Sequence, residues 1–569
     1  MIKNGYGKWI LAAILVASAL LRLINLSSGD TLSDEVGYGF RAVGMLDFDE
    51  AGEQTTPLEW FDPYVPSWAS LSFHDHPPLV FYVQYVSMQI FGETNLGLRL
   101  PSAIFGIASV YLLYLIGTLL YSETAGLATS ALLGATVNHV AISRLGLQES
   151  YVILFILLAT YFFIRALKKD IYLLWTGIAL GLGFLTKYNV FILVPVFFIY
   201  LILYKREYFL NKKLWIGALL SLLILSPVLI YNYKLYQAVG HFDFQLSFIL
   251  HQQHKEWQVE PGKEEFPTLA ARTKSFVPNL FNFNSWLFLA LTAVSLAAFL
   301  ILLKNHPLEK IKRHALLMLS ILWLLLLIIG AIGPSLRFLS ILTPFLALVA
   351  GVFVASALAW AAAHKKESWV IGVFALMIAF EVFYSINSEV INYPIGKSPW
   401  LWSRTRYENY NWGYNDLGKW VTQLLDGKMP AFAFEPKYKF LATIQQQTLD
   451  EDNNHNLEKA PWLIVYDRNI ESSAQLWNLD RVQVYHGWPI IPTETYVDFL
   501  QKEGSDYFAK AGIQKTYFII PTGIMPLKKP QNLSIIGQAF EQQLKARGLT
   551  PTTIIKNKRG EAAFRVYEF

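Results

Sequence analysis

Apolar runs of roughly 17–25 residues, each long enough to cross the hydrocarbon core of a bilayer, recur from the N-terminus to about Asn387. Repetition on that scale leaves one fold class open, a polytopic α-helical membrane protein. Composition agrees: of 569 residues 54% are hydrophobic and only 16% charged, with a mean hydropathy of +0.35, whereas about a quarter of a soluble domain is charged. The absence of cysteine excludes disulfides and thiolate chemistry. The net charge of +5 informs less than the placement of the charges, and nothing in it points to a nucleic-acid partner.

The first run, Trp9 to about Leu26, follows Lys3 and Lys8 and has no clear small-x-small cleavage site, so it reads as a retained helix with a cytoplasmic N-terminus. Further spans are expected near Leu100–Leu120, Ala125–Ile142, Tyr151–Leu167, Tyr172–Thr186, Val190–Tyr204, Leu214–Tyr231, Trp286–Leu303, Ala315–Ile332, Phe338–Val354 and Trp369–Ile386, about eleven in all. The clusters Arg165/Lys168/Lys169, Lys205/Arg206/Lys212/Lys213, Lys304/Lys310/Lys312/Arg313 and Lys365/Lys366 then fall on the side of Lys3 and Lys8. The positive-inside rule makes that side cytoplasmic.

A first loop over residues 27–98, a second over 233–285 and the tail beyond residue 387 are therefore expected outside. The first loop is acidic, with Asp30, Asp34, Glu35, Asp47, Asp49, Glu50, Glu53, Glu59, Asp62, Asp75 and Glu93 against Arg41. Within it Pro78–Phe91 is apolar but too short to span, so it and Glu35–Leu46 are read as interfacial helices. Past Asn387 the runs Trp462–Tyr466, Val482–Tyr485, Tyr517–Ile520 and Ala563–Tyr567 look like strands, and Asn415–Leu425 and Ile535–Ala546 like helices. The organisation expected is a transmembrane catalytic domain, 1–387, and an extracytoplasmic α/β domain, 388–569. No internal repeat of the kind that builds a two-halved transporter is found.

Chemistry-bearing residues gather at the outer ends of these elements. Asp34 and Glu35, with Tyr38, follow the first membrane exit, where partial desolvation suits a carboxylate to general-base work; the plain alternative is an acidic turn with Ser33 or Asp34 as N-cap. His74-Asp75-His76 precedes the short apolar helix that carries Tyr82. Its donor types suit a divalent metal, but successive residues do not converge on one ion. Arg144 and Glu149 share the next outer turn and could simply pair, while Lys187 and Arg337 sit at outer helix ends, where long cations also snorkel. Carboxylates and cations focused on one membrane face suit an anionic lipid headgroup reacting with a hydroxyl or amine acceptor.

The ordered stretches Leu21-Arg22-Leu23, Leu32–Tyr38, His76–Tyr82, Phe91-Gly92, Leu98–Ser102, Ser143-Arg144 with Glu149, Gly181–Tyr188 and Arg337–Pro344 resemble the GT-C glycosyltransferases. The branch is that of protein O-mannosyltransferases and the lipid A aminoarabinose transferase. The resemblance covers residues 9–345 and implies transfer of a sugar from a polyprenyl-phosphate donor to a protein, lipid or glycan acceptor at the outer face of a bacterial or archaeal cell membrane. It implies Asp34 as general base and Glu149 as a second acid. His76 stands where some relatives have a lysine on the donor phosphate, which makes Lys187 and Arg337 the better candidates to neutralise it. Glu35 is grouped with the catalytic acids, and Tyr38, Tyr82 and Arg144 with the donor contacts. Direct displacement inverts the anomeric centre and requires no cofactor.

Three other readings stay open. A metal-dependent oligosaccharyltransferase would call for an Asp-x-Asp site, which Asp47-Phe48-Asp49 fits by its letters only. A lipid or solute transporter would place ionisable residues near the midplane, where Glu381 is the one acid inside an expected span. An inactive scaffold displaying the C-terminal domain would be indifferent to Asp34. The loop 233–285, with His241, Asp243, His251, His254 and Trp257, is long for a plain connection and has the length of a lid.

Overall fold

The computed structural model describes residues 6–47, 56–255, 257, 266–303, 308–470, 472–522 and 534–569. Lys3, Phe48, Asp49, Glu50, Glu53 and Lys304, and the side chains of Lys310, Lys312 and Arg313, lie outside the described residues. The chain forms two compact units: Met1–Leu26 with Trp68–Asn409, and Ser27–Ser67 with Tyr410–Phe569.

The first unit is helical. Among the described residues seven helices are long and apolar enough to cross a membrane: Tyr6–Leu23, Asn95–Leu120, Glu149–Ala166, Lys212–Val239, His314–Ile332, Leu336–Ala363 and Glu367–Glu389. The span expected at Ala125–Ile142 is broken, with Glu123–Ala135 and Val137–Ser143 meeting at 62°, and counting that pair as one span gives eight. The remaining expected spans fall on shorter apolar helices, Tyr172–Phe184, Tyr188–Tyr204 and Trp286–Ile301. The helix read at Pro78–Phe91 forms as Leu79–Phe91.

A broken helix leaves carbonyls without their usual N–H partners, and two arginines at helix ends meet such groups. Arg22 donates to Gly134 O at 3.0 Å and Leu133 O at 3.4 Å, just before the break, and its Nη2 also reaches His139 Nδ1 at 2.6 Å. Arg144 caps the end of the first helix, donating to the carbonyls of Leu21 (2.9 Å), Arg22 (3.2 Å), Ile24 (2.8 Å) and Asn25 (3.2 Å). Cations there also complement the negative end of the helix dipole.

The loop expected over 233–285 contains more helix than its polarity suggested. The helix Lys212–Val239 runs into it and stops at Gly240, whose φ of 83° is a left-handed cap. Short Phe244–Ile249 and then Leu269–Phe283 follow; residues 256 and 258–265 lie outside the described set.

The second unit is built on a five-stranded sheet in the order Ile490–Pro492, Trp462–Tyr466, Lys515–Pro521, Ala562–Glu568, Thr553–Lys556. The first three strands are parallel and the last two pairings antiparallel. Side chains alternate faces along a strand. Ile464, Tyr466, Tyr517 and Ile519 enter one core, and Leu463, Val465, Phe518 and Ile520 the other. The strand expected at Val482–Tyr485 is instead a helix, Arg481–His486, ended by left-handed Gly487. Four alternating residues cannot separate the two periods, and the preceding turn Leu476–Asp480 is already helical. The segment Ser27–Ser67 belongs to this unit, and its helix Asp34–Gly44 replaces the one read at Glu35–Leu46.

Candidate active site

Three helix ends of the first unit converge on one carboxylate. Glu149 opens the helix Glu149–Ala166, Lys187 precedes the short helix Tyr188–Ile192, and Arg337 lies in the first turn of Leu336–Ala363. A left-handed Gly333, φ 83°, turns the chain into that last helix, a conformation glycine adopts without a Cβ clash. Glu149 is wholly buried, and its Oε1 accepts from Lys187 Nζ at 2.7 Å and Arg337 Nε at 3.1 Å. Its Oε2 is buried with no hydrogen-bond partner among the described residues. Lys187 Nζ also stands 5.3 Å from the Phe338 ring centroid.

Two cations share one anion here, and two of the three helix N-termini carry a cation against the local dipole. A lysine and an arginine side by side are the donor types that bind a phosphate or carboxylate. The pairing of Arg144 with Glu149 left open by the sequence is not what forms: Arg144 is taken up by backbone carbonyls and Glu149 by Lys187 and Arg337.

Next to Lys187, Tyr188 donates to Asp243 Oδ2 at 2.5 Å, and Asn232 Nδ2 donates to the same oxygen at 2.8 Å. Asp243 Oδ1 caps the helix Phe244–Ile249 through Leu246 N at 2.8 Å. Burial pushes the Asp243 carboxyl up to about 6, and Asp75 nearby pushes the same way. Phe244 N donates to His74 O at 2.5 Å, so the start of the second loop is fastened to the histidine turn. In that turn Asp75 lies between two imidazoles, with His76 Nδ1 at 2.9 Å and His74 Nδ1 at 3.9 Å. Asn232 gave no sequence signal, because its role depends on a partner across a helix end.

Tyr82 is exposed on Leu79–Phe91, a helix tied down where Gln84 Nε2 donates to Gly146 O at 2.7 Å. Asp34, Glu35 and Tyr38 belong to the second unit. The two acids form the first turn of Asp34–Gly44, the favourable end for negative charge. Asp34 is exposed, whereas Glu35 and Tyr38 are buried, so the partial desolvation expected of Asp34 is not found. Ser33 precedes the helix without a side-chain cap, so the capping role expected of it is not formed.

Residues 75–231 match the family model described as dolichyl-phosphate-mannose-protein mannosyltransferase. The candidate mannosyltransferase YkcB of Bacillus subtilis is 27% identical over 229 residues, covering 38% of this chain and 29% of that protein. The undecaprenyl phosphate-alpha-4-amino-4-deoxy-L-arabinose arabinosyl transferase of Pseudomonas savastanoi is 28% identical over 183 residues, 31% of this chain and 32% of the relative. The matches thus span about a third of those relatives' length. In fold, the chain superposes over its whole length on 98% of ArnT from Cupriavidus metallidurans, solved bound to undecaprenyl phosphate, with a TM-score of 0.53 at 12% identity. The chain is thus a multi-span membrane protein whose fold is similar to that of ArnT, with residues 75–231 similar to the mannosyltransferase family.

Proposed function

We propose that this protein is an integral-membrane, inverting glycosyltransferase that moves a sugar from a polyprenyl-phosphate donor to a protein, lipid or glycan acceptor at the outer face of the cell membrane. The observation that carries the reading is the buried centre in which Glu149 holds Lys187 and Arg337 with one oxygen. A lysine and an arginine gathered at the ends of apolar helices suit a phosphate headgroup whose lipid tail stays in the bilayer. In this reading the N-terminus is cytoplasmic and the sheet unit is extracytoplasmic, its bounds shifted from the expected 388–569 to Ser27–Ser67 with Tyr410–Phe569.

Asp34 is the general base in this scheme. It takes the proton of the acceptor hydroxyl or amine while the acceptor atom bonds to the anomeric carbon. The bond from that carbon to the phosphate oxygen breaks, and polyprenyl phosphate leaves with the electron pair. Lys187 and Arg337 stabilise the charge that grows on the phosphate. Glu149 keeps the two cations oriented, and Glu35, Tyr38, His76 and Tyr82 are the supporting acid and donor-side residues, whereas Arg144, expected as a donor contact, is spent on the carbonyls that end the first helix. No step calls for a metal or a nucleotide.

The test is turnover of a labelled lipid-linked sugar by the purified protein, combined with mass spectrometry of envelope glycans and glycoproteins with and without it. Release of polyprenyl phosphate matched by a new glycan supports the scheme. Movement of intact donor across the membrane with the glycosidic phosphate unbroken supports a transporter instead.

A further inference from the structure

The segment that carries Asp34 is fastened within the second unit at both ends. Upstream, Asp30 is wholly buried and acts as a helix cap from a distant part of the chain. Its Oδ2 accepts from Trp412 N at 2.5 Å and its Oδ1 from Asn415 N at 2.7 Å. Those N–H groups stand at the start of the helix Tyr414–Leu425, where no intrahelical acceptor exists. Asp30 N donates in turn to Tyr410 O at 2.9 Å, and Asn411 and Asn415 side chains hold the carbonyls of Ser28 and Ser27, each at 2.9 Å. Two residues on, Leu32 packs against the core on one face of the sheet.

Downstream, Tyr485 Oη donates to Phe40 O at 2.7 Å, and the two rings lie 5.1 Å apart. Between these anchors Ser33 has φ 54° and ψ −142°, a conformation that L side chains rarely adopt and that persists only where the surroundings impose it. Asp34 follows directly. Strain adjoining the reactive residue, bracketed by two fixed points, describes a segment held in one geometry.

We propose that the C-terminal domain is the positioning element for the general base, with Asp30 and Tyr485 as positioning residues that fix the backbone on which Asp34 is presented. This rests on the reading of Asp34 as base, and gives the soluble domain a part in the transfer step itself. Asparagine cannot replace Asp30, since two N–H groups meet two different oxygens and an amide supplies one.

The experiment uses the full-length protein in nanodiscs with Asp30→Asn and Tyr485→Phe. Amide hydrogen exchange over residues 31–38 should rise tenfold or more in Asp30→Asn and severalfold in Tyr485→Phe, with exchange over Glu149–Ala166 unchanged from the parent. In the turnover assay kcat should fall about 10–100-fold while the KM for the lipid-linked donor stays within twofold. Tyr485→Phe removes one hydroxyl only and keeps the test available if Asp30→Asn folds poorly. Unchanged exchange over 31–38 in both variants overturns the proposal, as does raised exchange with an undiminished kcat. An Asp34→Asn control with parental turnover removes the base assignment, and with it the catalytic half of the proposal, while exchange still judges the fastening.

Discussion

Glu149 and Asp30 are both carboxylates with no exposed surface, one in each unit, and they are held by opposite means. Glu149 meets two cationic side chains, Lys187 and Arg337. Asp30 meets backbone N–H groups of Trp412 and Asn415. A side-chain cation can turn from a carboxylate to a phosphate by changing rotamers, whereas a backbone amide at a helix start cannot change partner without undoing the helix. The first arrangement can exchange partners by side-chain rotation, and the second cannot. In the proposed transfer scheme the first would serve as a cradle that receives and releases an anion, and the second would hold the segment that presents the base.

The contrast fails most visibly if the still segment turns out to present no base. Asp34→Asn and Asp34→Ala should cost about 10²–10⁴ in turnover, with little loss of folded protein because the side chain is exposed. Turnover of the purified Asn variant is measured by release of lipid phosphate. A rate within a few-fold of the parent means that the fixed segment presents something other than the base.

The exchangeable centre comes next. Lys187→Ala and Arg337→Ala should each weaken binding of a lipid-phosphate analogue about tenfold or more, since a hydrogen bond to a charged group contributes about 1.5–3 kcal/mol. The larger loss is expected for Arg337 if its planar guanidinium takes the phosphate through two donors. Glu149→Gln carries the opposite sign, because it removes the anion that competes for both cations. Unchanged affinity in both alanine variants leaves the two residues as structural counter-ions of Glu149 with no part in donor binding.

The fold was legible wherever local pattern decides it. Apolar run length placed the helices, and Trp462–Tyr466 and Ile535–Ala546 stand where alternation and helical periodicity put them. What escaped is non-local. Nothing near Thr136 announces a break, because the groups that satisfy the freed carbonyls come from Arg22. Lys187, Arg337 and Glu149 are legible as charges at helix ends, but their convergence requires the packed bundle. Asp30 reads as one acid among eleven in its loop, since its partners lie some 380 residues further on.

The smallest effect separates the two units by pH. Burial raises the Asp30 carboxyl from an ordinary 3.8 to about 7 against the pull of its N–H donors, and raises Asp243, which fastens the start of the second loop in the first unit, to about 6. In both cases the folded state binds the proton more tightly than the unfolded state. Stability contributed by each group is therefore complete below about pH 4 and declines as pH rises, through about 7 for Asp30 and about 6 for Asp243. A tenfold difference in proton affinity between the two states corresponds to about 1.4 kcal/mol, so a fraction of either difference suffices for detection. Hydrogen exchange, corrected for its intrinsic pH dependence, should rise over residues 27–38 between pH 6 and 7 while residues 241–250 have already reached their plateau. Asp30→Asn should flatten the first profile alone and Asp243→Asn the second alone. Profiles that move together in either variant mean that the carboxylate fastened by backbone and the one fastened by Tyr188 and Asn232 do not act as independent clasps.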